Sequence, residues 1–288
     1  MHVAVILFGF TAILGDLIQL PALSIVWWRV LLACLSLLLL IRFGKNLLLV
    51  PRRLLLIYFF IGFIVGFHWL SFYGAVKLSN ASITLICMST TSFFASLFEP
   101  LILRKRMKSL DLFLGMLIVP SMLFIINTTE VSLQIGAWVA ILSAFLAAVF
   151  AVLNKKYMEK SSTLSMSFVE LGGVFVLMSI IMMLWPAFSY EKLRWIPPSI
   201  SDWVYLLLLA LLCTTLAWVI SLKALKHISA FSSVLIVNLE PVYGILLAAF
   251  ILKDYKQLNN GFYIGSAVIL CIVLLYPILS KIYYREEN

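Results

Sequence analysis

The chain has 288 residues, of which 64% are hydrophobic and only 11% are charged. A soluble domain cannot remove that much apolar surface from water, so most of this chain must lie in lipid. The formal net charge of +9 would also suit a nucleic-acid-binding protein. The basic residues, however, stand in short clusters between apolar segments, so no basic folded domain is present to bind nucleic acid.

Ten apolar segments follow one another, and most approach the roughly 20 residues that a helix needs to cross a bilayer. They are residues 3–20, 23–41, 54–76, 81–103, 110–126, 135–153, 164–185, 204–225, 231–252 and 262–279. The first is marginal in length, so we expect its helix to continue past Asp16 toward Pro21, or further residues to precede it. No basic region comes before it, which favours a membrane span over a cleaved signal peptide.

The two halves of the sequence repeat each other in a constant register. The segment from Trp69 to Lys77 has its counterpart from Trp218 to Lys226. Because a five-helix unit has an odd number of spans, its second copy must insert in the opposite orientation, as in many secondary transporters. We therefore predict an all-α integral membrane protein of ten transmembrane helices, built as two inverted five-helix repeats, residues 1–130 and 131–288.

Lysine and arginine residues set the predicted orientation, because cytoplasmic loops carry an excess of them. With a cytoplasmic amino terminus, the larger group falls inside: Arg42, Lys45, Arg52, Arg53, Arg104, Lys105, Arg106, Lys108, Lys155, Lys156, Lys160, Lys223, Lys226, Lys281 and Arg285. The outer loops keep Lys77, Lys192, Arg194, Lys253 and Lys256. We therefore predict a multi-pass protein of the cell (inner or plasma) membrane with both termini cytoplasmic.

Small residues indicate where helices pack closely. Gly62 and Gly66 form a GxxxG pattern in the third segment, and we expect Gly74 to continue the same face. Such faces let helix backbones approach each other where no hydrophobic force drives association.

Several short motifs resemble the EamA family of the drug/metabolite transporter superfamily, over essentially the whole chain. They are Phe8-Gly9-Phe10, Pro21, Trp27-Trp28-Arg29, Gly115, Gly265 and Asn238-Leu239-Glu240-Pro241. The resemblance implies two EamA-type repeats and an alternating-access carrier, often an exporter of amino acids or other small metabolites. It also implies that the third, fourth, eighth and ninth helices line a central cavity. The sequence departs from the family pattern at Asp16 and at Ser89-Thr90-Thr91-Ser92.

Glu240 is the sharpest candidate for a functional residue, because a charge inside the membrane costs at least about 2.5–3.5 kcal/mol. It lies halfway along the ninth segment, directly before Pro241, which frees a backbone carbonyl about one turn earlier. With Asn238, it places a carboxylate and an amide at one depth, and a carboxylate removed from water is a candidate for proton coupling. The alternative is a glutamate that only holds a kinked helix against its neighbour.

The register that aligns Trp69 with Trp218 also pairs Thr91 with Glu240 and Ser89 with Asn238. Ser89 and Ser92 are three positions apart and share a helix face that can hydrogen-bond a substrate. Hydroxyl groups in membrane helices also bond to their own backbone, so both interpretations remain open. Glu99 precedes a proline as Glu240 does, but it lies near the inner end of its segment.

Arg29 and His68 lie at similar depths in the second and third segments. A guanidinium there can hold a substrate carboxylate bidentately, or it can neutralise Asp16. Glu170 enters the seventh segment from the inner side. It is a candidate inner gate or proton relay, or an ion-pair partner of an inner-loop lysine such as Lys155 or Lys156.

Aromatic residues flank these polar positions: Trp69, Tyr73, Trp218 and Tyr243. Such rings either bound a substrate pocket or simply pack, and Tyr73 is also close enough to the interface to anchor there.

We predict a secondary active transporter that moves a small metabolite such as an amino acid outward, with protons as the candidate coupling ion. The alternative is a broad-specificity drug efflux carrier. An intramembrane enzyme fits less well, because His68 is the only histidine within a segment and no metal-ligand spacing is present, and no cofactor is expected. A non-transporting subunit also fits less well, because no soluble segment exceeds a short loop. The expected partners are a small-molecule substrate and the lipid bilayer, and a monomer and a homodimer both remain open.

Overall fold

A computed structural model describes residues 1–44, 50–190, 192–237 and 239–283. The described residues are mainly helical and contain no strand. The helices are α1 (His2–Leu17), α2 (Ala22–Gly44), α3 (Arg52–Leu78), α4 (Ala81–Met88), α5 (Thr91–Leu103), α6 (Ser109–Thr128), α7 (Val131–Tyr157), α8 (Thr163–Phe188), α9 (Ile200–Ala210), α10 (Ala217–Leu225), α11 (Ala230–Val237), α12 (Glu240–Ile251) and α13 (Asn260–Tyr283). A π-helical segment, Leu211–Leu216, joins α9 to α10.

Seven helical stretches among the described residues are long and apolar enough to cross a membrane. They are Ala22–Leu39, Arg52–Leu78, Ala81–Leu103, Ser109–Thr128, Val131–Lys160, Thr163–Ala187 and Ile200–Leu225. His2–Leu17 and Asn260–Ile272 are shorter apolar helices. The first helix does not continue toward Pro21, because the backbone is already extended at Ile18.

Two helices are interrupted at matching positions of the two halves. α4 ends at Met88 and α5 begins at Thr91, while α11 ends at Val237 and α12 begins at Glu240. The sequence predicts each of these stretches as one continuous helix. The interruption before Glu240 lies where Pro241, which cannot donate a backbone hydrogen bond, weakens the preceding turn.

The two interrupted helices also match at their beginnings and at their ends. Asn80 and Ser229, which the same register pairs, each accept a hydrogen bond from the backbone N–H three positions later, at 2.8 and 2.9 Å. Arg104 and Lys253 are another pair in this register; their φ values are 54° and 57°, and they are the non-glycine residues with positive φ in the described chain. Because this conformation is uncommon outside glycine, the matched pair indicates one backbone plan in both halves.

The two interrupted helices pack across each other. α4 contacts α12 and α5 contacts α11, so the first part of one helix lies beside the second part of the other. They therefore run in opposite directions, and their interruptions lie close together.

α3 and α8 touch through their backbones. A Cβ atom at Gly62 would lie 2.1 Å from the carbonyl oxygen of Glu170, and one at Gly173 would lie 2.4 Å from the carbonyl oxygen of Phe59. The expectation that Gly74 continues this face is wrong, since a Cβ there would meet Val139 of α7. Twelve residues at about 100° each turn the helix about 120° away from the face of Gly62.

Candidate substrate-binding site

A cavity lies between the interrupted helices and α1, α2, α3, α7 and α10. The space that protein atoms leave free there, including the open mouth, is about 990 Å³. Seven of the candidate residues from the sequence line it: Arg29, His68, Trp69, Ser89, Thr91, Trp218 and Glu240. Ser92, Glu170 and Tyr243 do not line it, and Asn238 lies outside the described residues.

The cavity extends toward the end of the bundle at which the chain begins. Met1, Asn154 and Leu225, which line it, belong to the start of α1 and to the last turns of α7 and α10.

The opposite end of the bundle is closed. There the Nζ atom of Lys77 donates to the carbonyl oxygens of Asp16 and Ile18, at 3.2 and 2.8 Å. The backbone N–H of Gln19 donates to the carboxylate of Asp202 at 2.8 Å. These bonds tie the end of α1 to α3 and α9, and none of the residues that make them lines the cavity.

Arg29 is held in a buried socket on the cavity wall, with 2% of its surface exposed. Its Nε donates to the hydroxyl of Thr214 at 2.5 Å, Nη1 to the hydroxyl of Tyr73 at 2.7 Å, and Nη2 to the carbonyl oxygen of Cys213 at 3.3 Å. The guanidinium carbon lies 4.0 Å from the ring centroid of Trp69. Two of the five N–H groups of the guanidinium are left for a ligand.

The π-helical segment builds this socket. Thr214 and Cys213 belong to it, and the Thr214 hydroxyl donates to the carbonyl of Leu209, five positions earlier, at 2.7 Å. The wider turn brings both acceptors to Arg29, and π-helical turns are frequent at functional sites. Arg29 is not paired with Asp16, and Tyr73 is fully buried rather than an interfacial anchor.

Glu240 faces the same cavity as Arg29 from the first turn of α12. Its carboxylate makes no hydrogen bond or ion pair with a described residue, although it is close enough to Arg29 for an electrostatic interaction. The amino-terminal end of a helix favours a negative charge, which suits a carboxylate at this position. The cavity thus holds one cationic and one anionic group that do not bond to each other.

The hydroxyl groups at the interruption of the first half bond to their own backbone. Ser89, Thr90, Thr91 and Ser92 each donate to the carbonyl oxygen three positions earlier, at 2.5 to 3.0 Å. Three of these carbonyl oxygens, those of Ile86, Cys87 and Ser89, also accept a backbone N–H, so the hydroxyl groups reinforce the turn at the interruption. Ser89 and Thr91 can still accept a hydrogen bond from a ligand, because a hydroxyl oxygen has further lone pairs.

His68 is tied to Ser143 of α7. Its Nδ1 lies 3.0 Å from the Ser143 carbonyl oxygen, and the Ser143 hydroxyl donates to the His68 carbonyl oxygen at 2.9 Å. Nδ1 also lies 2.8 Å from the Ser143 hydroxyl, so both polar groups of Ser143 hold the ring in place.

The aromatic rings of Trp69 and Trp218, which occupy matched positions in the two halves, are in direct contact. Their centroids lie 5.6 Å apart in an edge-to-face arrangement, and Phe150 lies 5.6 Å from Trp218. Tyr243 instead packs near α1, where a Cβ at Gly9 would lie 3.4 Å from its Cβ.

Glu170 lies behind the cavity wall and is wholly buried. It is not paired with Lys155, whose Nζ donates to the carbonyl oxygen of Leu225 at 2.8 Å. Its carboxylate lies near Asn154 and Trp218, and both of these residues line the cavity.

Sequence reasoning missed Asn154, Thr214 and Ser143 as functional candidates. Asn154 directly precedes two lysines and so resembled the start of a loop. Thr214 and Ser143 lie in apolar segments, and their isolation as polar residues there was the available signal.

Comparison with known proteins identifies the family. The sequence model of the EamA-like transporter family matches residues 1–127 and 134–277. The chain belongs to this family. With its several apolar helices, it is a multi-pass membrane protein of a transporter family, and the two matched regions correspond to two repeats.

A solved structure described only as "Crystal structure of protein" is similar over nearly the whole chain. It has a TM-score of 0.70 and 14% sequence identity, and the match covers 99% of this chain and 96% of that chain. At this identity the similarity concerns the fold. No curated protein matches the sequence.

Proposed function

We propose that the protein is a secondary active transporter that exports a small zwitterionic metabolite, such as an amino acid, by alternating access. The observation that carries the proposal is the placement of Arg29 and Glu240 in one cavity without an ion pair between them. An unpaired buried charge costs several kcal/mol. A zwitterion supplies the missing partner to both.

In this arrangement the carboxylate of the substrate accepts hydrogen bonds from the two remaining N–H groups of Arg29. The ammonium group of the substrate binds Glu240. The rest of the molecule lies against Trp69, Trp218 and Phe150, which bound the cavity with apolar surface. Polar groups thus fix the orientation of the ligand while apolar contacts add affinity.

Glu240 is also the proposed site of proton coupling. Glu240 is buried, with 8% of its surface exposed, so its carboxylate is neutralised either by the ammonium group of the substrate or by a proton. Because the ammonium group and the proton compete for the same carboxylate, each substrate molecule that leaves would be exchanged for a proton that enters.

The proposed architecture comprises ten transmembrane helices in two inverted repeats, residues 1–130 and 131–288. It is supported by the matched interruptions before Thr91 and Glu240 and by their opposed packing. The distribution of basic residues supports cytoplasmic termini and a place in the inner or plasma membrane. With that orientation the cavity opens to the cytoplasm, the side from which an exporter takes up its substrate, and a single chain lines it.

Exchange measurements in reconstituted vesicles test the proposal. Wild-type protein should exchange internal labelled amino acid for external amino acid and respond to an imposed proton gradient, whereas Glu240→Gln should lose that response. Glu99→Gln is the matched control, because Glu99 also precedes a proline but does not line the cavity.

A gradient response that survives in correctly folded Glu240→Gln would refute the coupling role. Thermal shifts with purified protein identify the ligand class, since a ligand that binds only the folded state raises its stability. Stabilisation by apolar cations that lack a carboxylate, with none by amino acids, would favour drug efflux.

A further inference from the structure

Three buried polar groups meet behind the cavity wall without hydrogen-bond partners. They are both carboxylate oxygens of Glu170 on α8, the Oδ1 atom of Asn154 on α7, and the Nε1 atom of Trp218 on α10. Glu170 is 0% exposed and Asn154 is 1% exposed. The carboxylate lies near both other side chains, but none of these atoms makes a bond of acceptable geometry. Buried polar groups are nearly always paired, so three unpaired ones together indicate a site that a ligand completes.

No cationic side chain compensates Glu170 among the described residues. Helices α2, α3, α7 and α10 surround it. The titratable or charged groups whose side chains are described on them are Arg29, Cys34, Arg52, Arg53, Tyr58, His68, Tyr73, Lys77, Lys155, Lys156, Tyr157 and Lys223, of which Arg52, Arg53, Lys77 and Lys223 are exposed. Of these, Tyr58 is near enough to interact with the carboxylate, and its hydroxyl donates to the carbonyl oxygen of Tyr157 at 2.9 Å. Arg29, His68 and Lys155 bond elsewhere, and Lys156 lies over the Tyr157 ring at 5.6 Å.

Glu170 cannot easily move toward water, because its backbone is fixed. Its carbonyl oxygen lies against Gly62, where even a Cβ atom would not fit. The route from the cavity to the carboxylate passes Asn154 and Trp218, which line the cavity themselves. The carboxylate of Glu170 is therefore shielded from lipid and from bulk water. Among the described residues, the side chains of Asn154 and Trp218 lie between it and the cavity proposed for the substrate.

We propose that Glu170 is a second proton-binding site, filled from the cavity past Asn154 and Trp218. One proton satisfies all three groups. The carboxylic O–H donates to Oδ1 of Asn154, and the other carboxyl oxygen accepts the Nε1–H of Trp218. Without the proton, the carboxylate has an uncompensated charge, and Oδ1 of Asn154 has no donor.

The proton site is in contact with the substrate site. Trp218 meets Trp69 edge to face, and Trp69 lies under the guanidinium of Arg29. The Nε1–H of Trp218 can donate to the carboxyl group in either protonation state. The proton adds the bond to Oδ1 of Asn154, so both side chains are held in place as a wall of the cavity. This role in transport rests on the proposed function, whereas proton binding at Glu170 does not.

Infrared difference spectra of the purified protein in lipid, recorded between acidic and alkaline buffer without substrate, test the proposal. A protonated carboxyl group has a C=O stretch that an ionised carboxylate lacks. In a Glu240→Gln background the band should remain, and it should be lost when Glu170→Gln is added. Adding Glu99→Gln instead should leave it in place. Asn154→Leu should shift the frequency of the band, because the O–H group loses its acceptor.

Glu170→Gln should fold and unfold at a temperature no lower than the wild type, since its amide can donate to Asn154 and accept from Trp218. Three results would overturn the proposal: a band that is insensitive to Glu170→Gln, a Glu170→Gln protein that does not fold, or stabilisation by sodium ions that Glu170→Gln abolishes. Because no substrate is present, these results leave the transport proposal untouched. If the vesicles showed no amino acid exchange, the transport proposal would fail, and the infrared band of Glu170 would still be expected.

Discussion

Gly172 and Gly173 are neighbours on α8 with opposite surroundings, so the same substitution should have opposite effects at the two positions. No atom lies within 4 Å of a Cβ built at Gly172, whereas one built at Gly173 lies 2.4 Å from the carbonyl oxygen of Phe59. Gly172→Ala therefore adds a methyl group to open space, and Gly173→Ala inserts one between α3 and α8.

Both variants gain the same helix propensity, about 0.5–1 kcal/mol over glycine. At Gly173 the contact of 2.4 Å is well under the 3.0 Å below which Cβ atoms are essentially never found. The obstacle is backbone, so the two helices must separate, and overpacking of this kind costs about 1–3 kcal/mol. Since the propensity gain cancels, the free energies of unfolding should differ by about 1–3 kcal/mol, with Gly172→Ala the more stable.

Thermal unfolding of the two purified variants and the wild type in one detergent, followed by circular dichroism, measures the order. Gly172→Ala should unfold above the wild type and Gly173→Ala below it. Equal unfolding temperatures for the two variants would refute the backbone contact between α3 and α8.

Two further substitutions test the cavity and the closed end of the bundle. Arg29→Lys keeps the charge, but an ammonium group has three N–H donors and a guanidinium five. It therefore cannot replace the bonds to Tyr73, Thr214 and Cys213 and also hold a carboxylate. Loss of one charged hydrogen bond, about 1.5–3 kcal/mol, should weaken binding of a carboxylate ligand roughly 10- to 150-fold. Calorimetric titrations measure this change in affinity. An equal loss of affinity for ligands without a carboxylate would contradict the role of Arg29. Lys77→Met removes the bonds to the carbonyls of Asp16 and Ile18, so cysteines placed at that end should react faster with a membrane-impermeant thiol reagent. Unchanged labelling would show that Lys77 does not close the bundle.

Apolar composition was enough to predict most of the helices. The segment predicted at residues 81–103 has the same bounds as α4 and α5 together, because an apolar stretch in lipid must satisfy its backbone internally. Its interruption was not predicted. Hydroxyl groups that bond backward, as at Ser89 and Thr91, occur in continuous helices too, so their presence alone does not indicate a break.

The candidate site was predicted in its residues more than in its geometry. Arg29 and Glu240 stood out because charges are rare in apolar segments, and the structure places both in one cavity. The socket of Arg29 was not predictable, since it depends on a π-helical turn at Thr214 that leaves no mark in the composition. The register between the halves pairs the π-helical segment with residues 62–67 of α3. Gly62 and Gly66 lie in that stretch and pack against α8. The two halves therefore differ in local backbone form as well as in charge.

Matched positions at the start of α5 and α12 carry Thr91 and Glu240. In the proposed inverted arrangement, an exchange of conformations between the halves turns the cavity from one membrane face to the other. If the two halves were identical, the two orientations of the carrier would have the same free energy and would be equally populated. With one carboxylate and one hydroxyl, the resting population of each orientation depends on what occupies the carboxylate. Under the proposed proton coupling, the proton concentration on either side of the membrane would then set how long the carrier faces each compartment.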